Sequence, residues 1–222
     1  SAAPGKASVL LLYDGTAFTR LVTSAYKEIK GIAWSPDASF ALVVATKGID
    51  AAVIRYQGGS LTELQVDNVC NYKALCWGEQ GAWLAGYNFD NSSLNIQLFS
   101  GSAVAADVPV PAQDIFATDL SWSHLLGTGL CAAELTTLLR FNGLGAVKVA
   151  DPSLKGELQG VAWAPSRSLA LMAGTDLSAG PGTDGLLYAY DGSTITVESS
   201  GRYFGLNDVA WTREHGLYDS VM

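Results

Sequence analysis

The stretch IAWSPDASFALVVA at residues 32–45 returns in altered form as VAWAPSRSLALMAG at residues 161–174. Each version has an apolar pair before a tryptophan, then a turn with Pro and Ser, then a second apolar run. Shorter versions of the phrase end at three more tryptophans. The five tryptophans are Trp34, Trp77, Trp122, Trp163 and Trp211, spaced 41 to 48 residues apart. A recurring interval of this length indicates a repeat architecture.

A second phrase repeats out of step with the first. It consists of an aromatic residue two positions before a glycine. The aromatic residues are Tyr13, Tyr56, Phe99, Phe141 and Tyr190, spaced 42 to 49 residues apart. Glycine at this place allows the positive φ that a tight hairpin often requires. Two markers with one period divide the chain into similar units.

Each unit contains four short apolar runs bounded by turn residues. In the first complete unit these runs, which we label strands a to d, are KGIAW, SFALVVA, AVIRY and LTELQV. The runs are rich in β-branched and aromatic residues, which is typical of strands. No segment keeps helical periodicity for more than about three turns, so the sequence predicts little α-structure.

Four strands per repeat at this period predict an all-β fold, a β-propeller with five four-stranded blades. The chain begins with strands c and d of a unit and stops after strands a and b, so we expect these halves to pair and close the ring. Exchange of the half-blades between molecules, giving a homo-oligomer, and a place within a longer protein both stay open. The predicted boundaries within one domain, 1–222, are 26–68, 69–112, 113–154 and 155–202 for blades 1 to 4, with 1–25 and 203–222 forming blade 5.

A family resemblance agrees with this architecture. The segments WSPDASFALVV at 34–44 and WAPSRSLALMA at 163–173 resemble the W-S-P-D-G repeats of prokaryotic WD40-like β-propellers. Two of the five units carry the proline, and Ala38 stands where that family has glycine. The resemblance implies a ring-shaped scaffold that binds proteins, glycans or small ligands. A fold of this kind does not by itself define a function.

Composition narrows the classes of partner. The net charge of −8 and the pI near 4.6 disfavour nucleic acid, whose phosphates an acidic surface repels. No apolar run is long enough to span a bilayer.

The three cysteines lack CxxC spacing. We interpret Cys76 and Cys131 as buried, unreactive thiols. No cofactor motif is present. The first residues, SAAPGKAS, lack signal-peptide features, and a processed end of an extracellular or periplasmic protein stays open.

The best candidate binding site lies four residues before each repeated tryptophan. A polar side chain there in every blade would form a ring of donors and acceptors at the channel mouth of a propeller. These residues are Lys30, Lys73, Thr118, Gln159 and Asn207. Four aromatic residues are expected near the same face, namely Tyr26, Tyr72, Phe89 and Tyr203. The pattern predicts a non-catalytic site for a protein or glycan.

Two further readings concern carboxylates. Asp119 and Asp208 occupy equivalent positions in their units and would serve as the acid and base of a glycosidase, although no third acid stands at that level. Asp176 and Asp184 flank the longest loop and, with Asp90 and Asp50, would offer oxygen ligands to Ca²⁺. The loop lacks the EF-hand pattern, so we favour the interpretation that these aspartates belong to ordinary solvated turns.

Overall fold

The computed structural model describes residues 8–21, 25–47, 50–64, 70–111, 115–176, 184–200, 205–211 and 218–219. All regular structure in these ranges consists of β-strands, which we number β1 to β20 in chain order. Within them no helix has the length and apolarity needed to cross a membrane.

Four complete antiparallel sheets follow one another along the chain, and each is a meander of four consecutive strands. We call them blades 1 to 4. Blade 1 contains β3 (Glu28–Trp34), β4 (Ala41–Lys47), β5 (Asp50–Gln57) and β6 (Ser60–Leu64). Blade 2 contains β7 (Cys70–Trp77), β8 (Ala82–Asn88), β9 (Ser93–Phe99) and β10 (Val104–Val108). Blade 3 contains β11 (Ala117–Ser123), β12 (Thr128–Ala133), β13 (Thr137–Asn142) and β14 (Gly145–Lys148). Blade 4 contains β15 (Glu157–Trp163), β16 (Ala170–Asp176), β17 (Asp184–Tyr190) and β18 (Ile195–Ser200).

The two ends of the chain contribute one hairpin each. One consists of β1 (Leu10–Tyr13) and β2 (Phe18–Leu21), and the other of β19 (Ala210–Trp211) and β20 (Tyr218–Asp219). They form separate two-stranded sheets, and no pairing joins them in the described residues. The predicted all-β fold with repeated four-stranded sheets is therefore confirmed, whereas the predicted closure of the ring is not seen among the described residues.

The two repeated phrases of the sequence lie opposite each other in every complete blade. Trp34 pairs with Ala41 on strand b, and Ala41 pairs in turn with Tyr56 on strand c. The equivalent triplets are Trp77–Ala82–Phe99, Trp122–Gly129–Phe141 and Trp163–Ala170–Tyr190. The tryptophan and the aromatic residue thus share one face across a small residue, which explains their common period.

The core lies mainly between blades. Six consecutive residues of β4 are buried, because strand b has sheet neighbours on both edges and packing on both faces. Leu42 and Val44 of blade 1 pack with Tyr72 and Leu75 of blade 2 in one apolar cluster. The apolar faces of a blade are buried only when neighbouring blades cover them.

Two of the tryptophans that end first strands also connect neighbouring blades by hydrogen bonds. The indole N–H of Trp77 donates to the carbonyl oxygen of Ala33 in the preceding blade, at 3.3 Å. The indole N–H of Trp211 donates to the carbonyl oxygen of Ala162 in the same way, at 2.9 Å. A large apolar ring with one hydrogen-bond donor suits such an interface.

Substitution of Gly129 tests the packing of the repeated triplet. A methyl group at this position would lie 2.1 Å from Cζ of Phe141, a ring that is only 1% exposed. We expect Gly129→Ala to lower the free energy of unfolding by about 1–3 kcal/mol, the usual cost of overpacking. Urea denaturation measures this value. Gly145→Ala is the control, because its nearest atom would be 3.8 Å away; equal effects of the two variants would contradict the interpretation.

Candidate functional site

The predicted binding position is a β-bulge in each complete blade. The pairing of the first strand with the second shifts by one residue at the fourth position before the tryptophan. The bulged residues are Lys30, Lys73, Thr118 and Gln159. A bulge leaves one residue unpaired in the ladder and redirects its side chain. Asn207, the fifth member, is exposed and precedes β19.

Three of the bulged side chains are held by near neighbours. Lys30 forms an ion pair with Glu28 on the same strand. The amide nitrogen of Gln159 donates to Oε2 of Glu157 at 3.1 Å. The hydroxyl of Thr118 donates to the carbonyl oxygen of Leu158 in blade 4 at 2.8 Å.

Lys73 differs from these three residues. Its ammonium lies 5.9 Å from the ring centroid of Phe116 in blade 3. Lys73 forms no salt bridge with any residue in the described ranges. Burial lowers the pKa of Lys73, and the positive charge of Lys30 lowers it further, against an opposing effect of Glu28 and Glu134. The site therefore contains a partly desolvated cation with no carboxylate in direct contact.

Three aromatic rings contact one another beside this lysine at the junction of blades 2 and 3. Tyr87 stacks on Phe116 with ring centroids 4.3 Å apart and an angle of 23° between the planes. Phe89 meets Tyr87 edge-on at 5.4 Å and is 52% exposed. Phe89 is a candidate from the sequence, whereas Tyr87 and Phe116 were missed. The only sequence signal for Phe116 is its position two residues before the bulge.

Asn71 completes this group of residues. It lies directly opposite Tyr87 in the register of β7 and β8. Its side-chain oxygen is buried and has no hydrogen-bond partner in the described residues. Most buried polar atoms in proteins are paired, so an unpaired acceptor of this kind requires an explanation. We call Asn71, Lys73, Tyr87, Phe89 and Phe116 the blade 2–3 corner.

The other predicted aromatic residues lie elsewhere. Tyr72 is fully buried, and its hydroxyl donates to the side chain of Gln97, because it occupies an inward-facing position in the cluster between blades 1 and 2. Its proposed contact with a ligand is therefore corrected. The hydroxyl of Tyr26 donates to Glu63 at 3.0 Å, and burial together with this bond raises the pKa of Tyr26 to about 12. Tyr203 lies outside the described residues.

Asp119 connects two blades. Its Oδ1 accepts the backbone N–H of Leu120, and its Oδ2 accepts the backbone N–H of Val161 in blade 4, both at 2.8 Å. Burial raises the pKa of Asp119 to about 7, despite these two hydrogen bonds, and the charge of Asp208 adds to the rise. Asp208 is exposed, and its Oδ1 accepts the N–H of Val209 at 2.7 Å. The two carboxylates therefore share the same local geometry.

The cysteines beside Asp119 show no sign of activation. Cys76 and Cys131 are free thiols, and burial raises the pKa of both, with a further contribution from the charge of Asp119. Both are therefore protonated at neutral pH, and a thiol is a poor nucleophile in that form.

Of the four carboxylates considered for calcium, Asp176 and Asp184 lie at the base of the long loop, whereas Asp50 begins β5 and Asp90 lies on the connection between β8 and β9. Asp176 and Asp184 pair directly across β16 and β17. Residues 177–183 lie outside the described ranges. Within those ranges, no group of three or more His, Cys, Asp or Glu side chains is arranged to hold a metal ion.

Comparisons with known proteins bear on the fold alone. No family model and no curated protein matches the chain. The hydrazine synthase of Kuenenia stuttgartiensis is similar in structure, with a TM-score of 0.63 and 15% identity over 90% of this chain and 56% of that one. U3-55K is similar with a TM-score of 0.61 and 12% identity over 93% of this chain and 59% of that one. The chain thus spans somewhat more than half the length of either protein, and both support a propeller-like fold.

The pH dependence of stability tests the position of Asp119. A carboxyl whose pKa is about 7 in the folded chain and about 3.9 when unfolded stabilises the fold most below pH 4. That contribution is lost as the pH rises through about 7. Between pH 5 and pH 8 the loss is on the order of 2 kcal/mol for this group. We expect Asp119→Asn to remove this part of the decline, measured by urea denaturation at both values.

The control for this experiment is Asp90→Asn, an exposed aspartate on the connection between β8 and β9. This variant should keep the decline of the unmodified chain. If Asp119→Asn also keeps the whole decline, the carboxyl is not titrating in this range and its buried position is wrong.

Proposed function

We propose that the chain is a non-catalytic binding module that recognises a glycan or a protein at the bulged positions of the first strands. The observation that supports this proposal is the bulge itself, which recurs at Lys30, Lys73, Thr118 and Gln159. Irregularities of this kind redirect side chains and are frequent beside functional sites. Consecutive first strands contact one another, so these positions lie on neighbouring strands.

A glycosidase is the alternative function, and one observation favours it. A carboxyl with a pKa of about 7 would suit a general acid, and Asp208 supplies a second carboxylate. The hydrogen bonds of Asp119 argue against this role. Both of its oxygens accept backbone amides, one of them in the next blade, so the side chain already has a structural function.

We also propose that the hairpins β1–β2 and β19–β20 pair as a fifth blade and close the ring. Support comes from Ile32, two residues before Trp34, which is 50% exposed. The equivalent residues of the other units are 8% exposed or less, because the preceding blade covers them; they are Leu75, Leu120, Val161 and Val209. Tyr13 is 56% exposed, whereas its equivalents are 9% exposed or less; these are Tyr56, Phe99, Phe141 and Tyr190.

The repeated triplet specifies how the fifth blade would pair. Tyr218 is opposite Trp211, as Ala41 is opposite Trp34. By the same rule Tyr218 pairs with Tyr13. Asp208 then takes the place that Asp119 has in blade 3. Its second oxygen would accept the backbone N–H of Ile32, just as Asp119 accepts that of Val161.

A cysteine pair tests this register. In the variant Tyr13→Cys/Tyr218→Cys the two thiols would be directly opposed, with Cβ atoms about 4.5–5.5 Å apart. We expect mild oxidation to link them within one molecule, seen as faster migration on a non-reducing gel. The control Tyr13→Cys/Asp219→Cys is one residue out of register and places the thiols on opposite faces. Equal linking of both pairs, or links only between molecules, would overturn closure within the chain.

Binding to a glycan array, with calcium and with EDTA, tests the function. We expect saturable binding that survives EDTA and releases no product. Lys30→Ser/Gln159→Ser should weaken it, because these side chains lie at the bulges, whereas Lys148→Ser on an outer strand should not. Loss in EDTA would favour a calcium site at Asp176 and Asp184.

Two results of the same assay would change the proposal. Saturable binding to no glycan would remove glycan recognition and leave a protein as the ligand. Release of a shortened sugar that stops in Asp119→Asn would replace the binding module with a glycosidase.

A further inference from the structure

We propose that the blade 2–3 corner binds a sugar that carries a carboxylate, such as a uronic acid residue of an acidic glycan. This inference rests on the proposed binding function and names its ligand class. It is carried by three features at the junction of blades 2 and 3, namely a cation that forms no salt bridge in the described residues, an exposed aromatic surface and an unpaired acceptor. An acidic sugar complements all three.

The ammonium group of Lys73 favours a ligand with a negative charge. Lys73 is partly buried and directs its ammonium toward Phe116, with no salt bridge among the described residues. Its neighbour Lys30 already has Glu28 as a partner. A partly desolvated ammonium in a chain of net charge −8 is an unusual local positive charge, and Glu28 and Glu134 act on it only from beyond salt-bridge distance. A carboxylate of the ligand would supply a counter-ion in direct contact and form a charge-assisted hydrogen bond.

The aromatic rings select a flat apolar face. The exposed ring of Phe89 meets Tyr87, which is itself stacked on Phe116, so the three rings support one another. A sugar ring has one face covered by C–H groups, and this face packs on aromatic side chains. The supported ring of Phe89 presents such a surface at little cost in conformational freedom, since its neighbours restrict its rotation.

The unpaired side-chain oxygen of Asn71 favours a ligand that carries a hydrogen-bond donor. The side-chain oxygen of Asn71 is shielded, lies opposite Tyr87 in the strand register and lacks a donor. A sugar hydroxyl is a donor as well as an acceptor, so it satisfies this atom once the amide rotates toward the ligand. In the structure, no other side chain of the blade 2–3 corner donates a hydrogen bond to this oxygen.

The combination of groups favours an acidic sugar over an acidic peptide. Successive contacts lead from the lysine nitrogen to Phe116 at 5.9 Å, from Phe116 to Tyr87 at 4.3 Å and from Tyr87 to Phe89 at 5.4 Å. One uronic acid residue carries a carboxylate, an apolar face and hydroxyl donors, and adjoining residues of the glycan repeat these groups along the corner. A peptide would need at least two side chains and a backbone amide to offer the same groups.

Calorimetric titration with tetragalacturonate tests the proposal. The matched ligand is the neutral tetramer in which each carboxylate is replaced by a hydroxymethyl group. We expect the acidic tetramer to bind, the neutral tetramer to bind far more weakly, and added salt to weaken binding of the acid. Lys73→Gln and Phe89→Ala should each reduce affinity about tenfold to a hundredfold, as expected for a lost charge-assisted bond or aromatic contact. Leu144→Ala, at an 89% exposed residue on the β13–β14 connection, is the control and should bind normally.

The outcomes separate this inference from the proposed function. Binding of acidic sugar that is unchanged in both variants would overturn the corner as its site and leave a binding module. Equal binding of the neutral tetramer, or binding of polyglutamate in place of both sugars, would overturn the acidic-sugar class while Lys73 dependence still supports a binding site. No binding of any probe would overturn the inference, and the glycan array then decides the function. Circular dichroism of each variant shows that a loss of binding is not a loss of folding.

Discussion

The packing of each blade against the next is the interaction on which this structure depends. Strand b is buried on both faces, so a single sheet exposes too much apolar surface to be stable alone. The first strand of each blade contacts the first strand of the next, and the indole N–H groups of Trp77 and Trp211 donate to carbonyl oxygens of the preceding blade. The same packing recurs between successive blades, and the sequence motif that forms it recurs with it.

The first strand of each blade forms this interface and also carries the candidate site. The bulge allows the strand to keep its apolar contacts while one residue points its side chain in another direction. A regular strand alternates its side chains between two faces. On either side of the bulge, Tyr72 and Ala74 of β7 are both buried, while Lys73 between them is left unpaired in the ladder. The extra residue therefore changes the direction of one side chain without removing an apolar residue from the interface. Variation at that single position changes the chemistry of the site and leaves the packing intact.

The sequence predicts the parts of this structure that are local and repeated. The tryptophans, the aromatic–glycine phrase and the turn residues recur, so the strands and their order follow from them. The bulge does not follow, because Lys30, Lys73, Thr118 and Gln159 share no residue type that marks it. Contacts between blades are equally hidden. The stacking of Tyr87 on Phe116 and the bond from Val161 to Asp119 join residues far apart in the chain.

The packing around the residue that follows each bulge explains why an aspartate can stand there without a catalytic role. The space at this position is small, since a methyl group on Gly31 would lie 3.0 Å from Leu75, and one on Gly160 would lie 2.7 Å from the backbone of Asp208. Glycine fits this space in blades 1 and 4, Ala74 occupies it in blade 2, and a larger side chain fits when it bonds to the backbone that crowds it. Asp119 does this through the amide of Val161. A buried carboxylate left unbonded here would cost stability, so the hydrogen bond is the condition for its presence. A paired aspartate at a repeated, crowded position is therefore first a feature of the interface between blades.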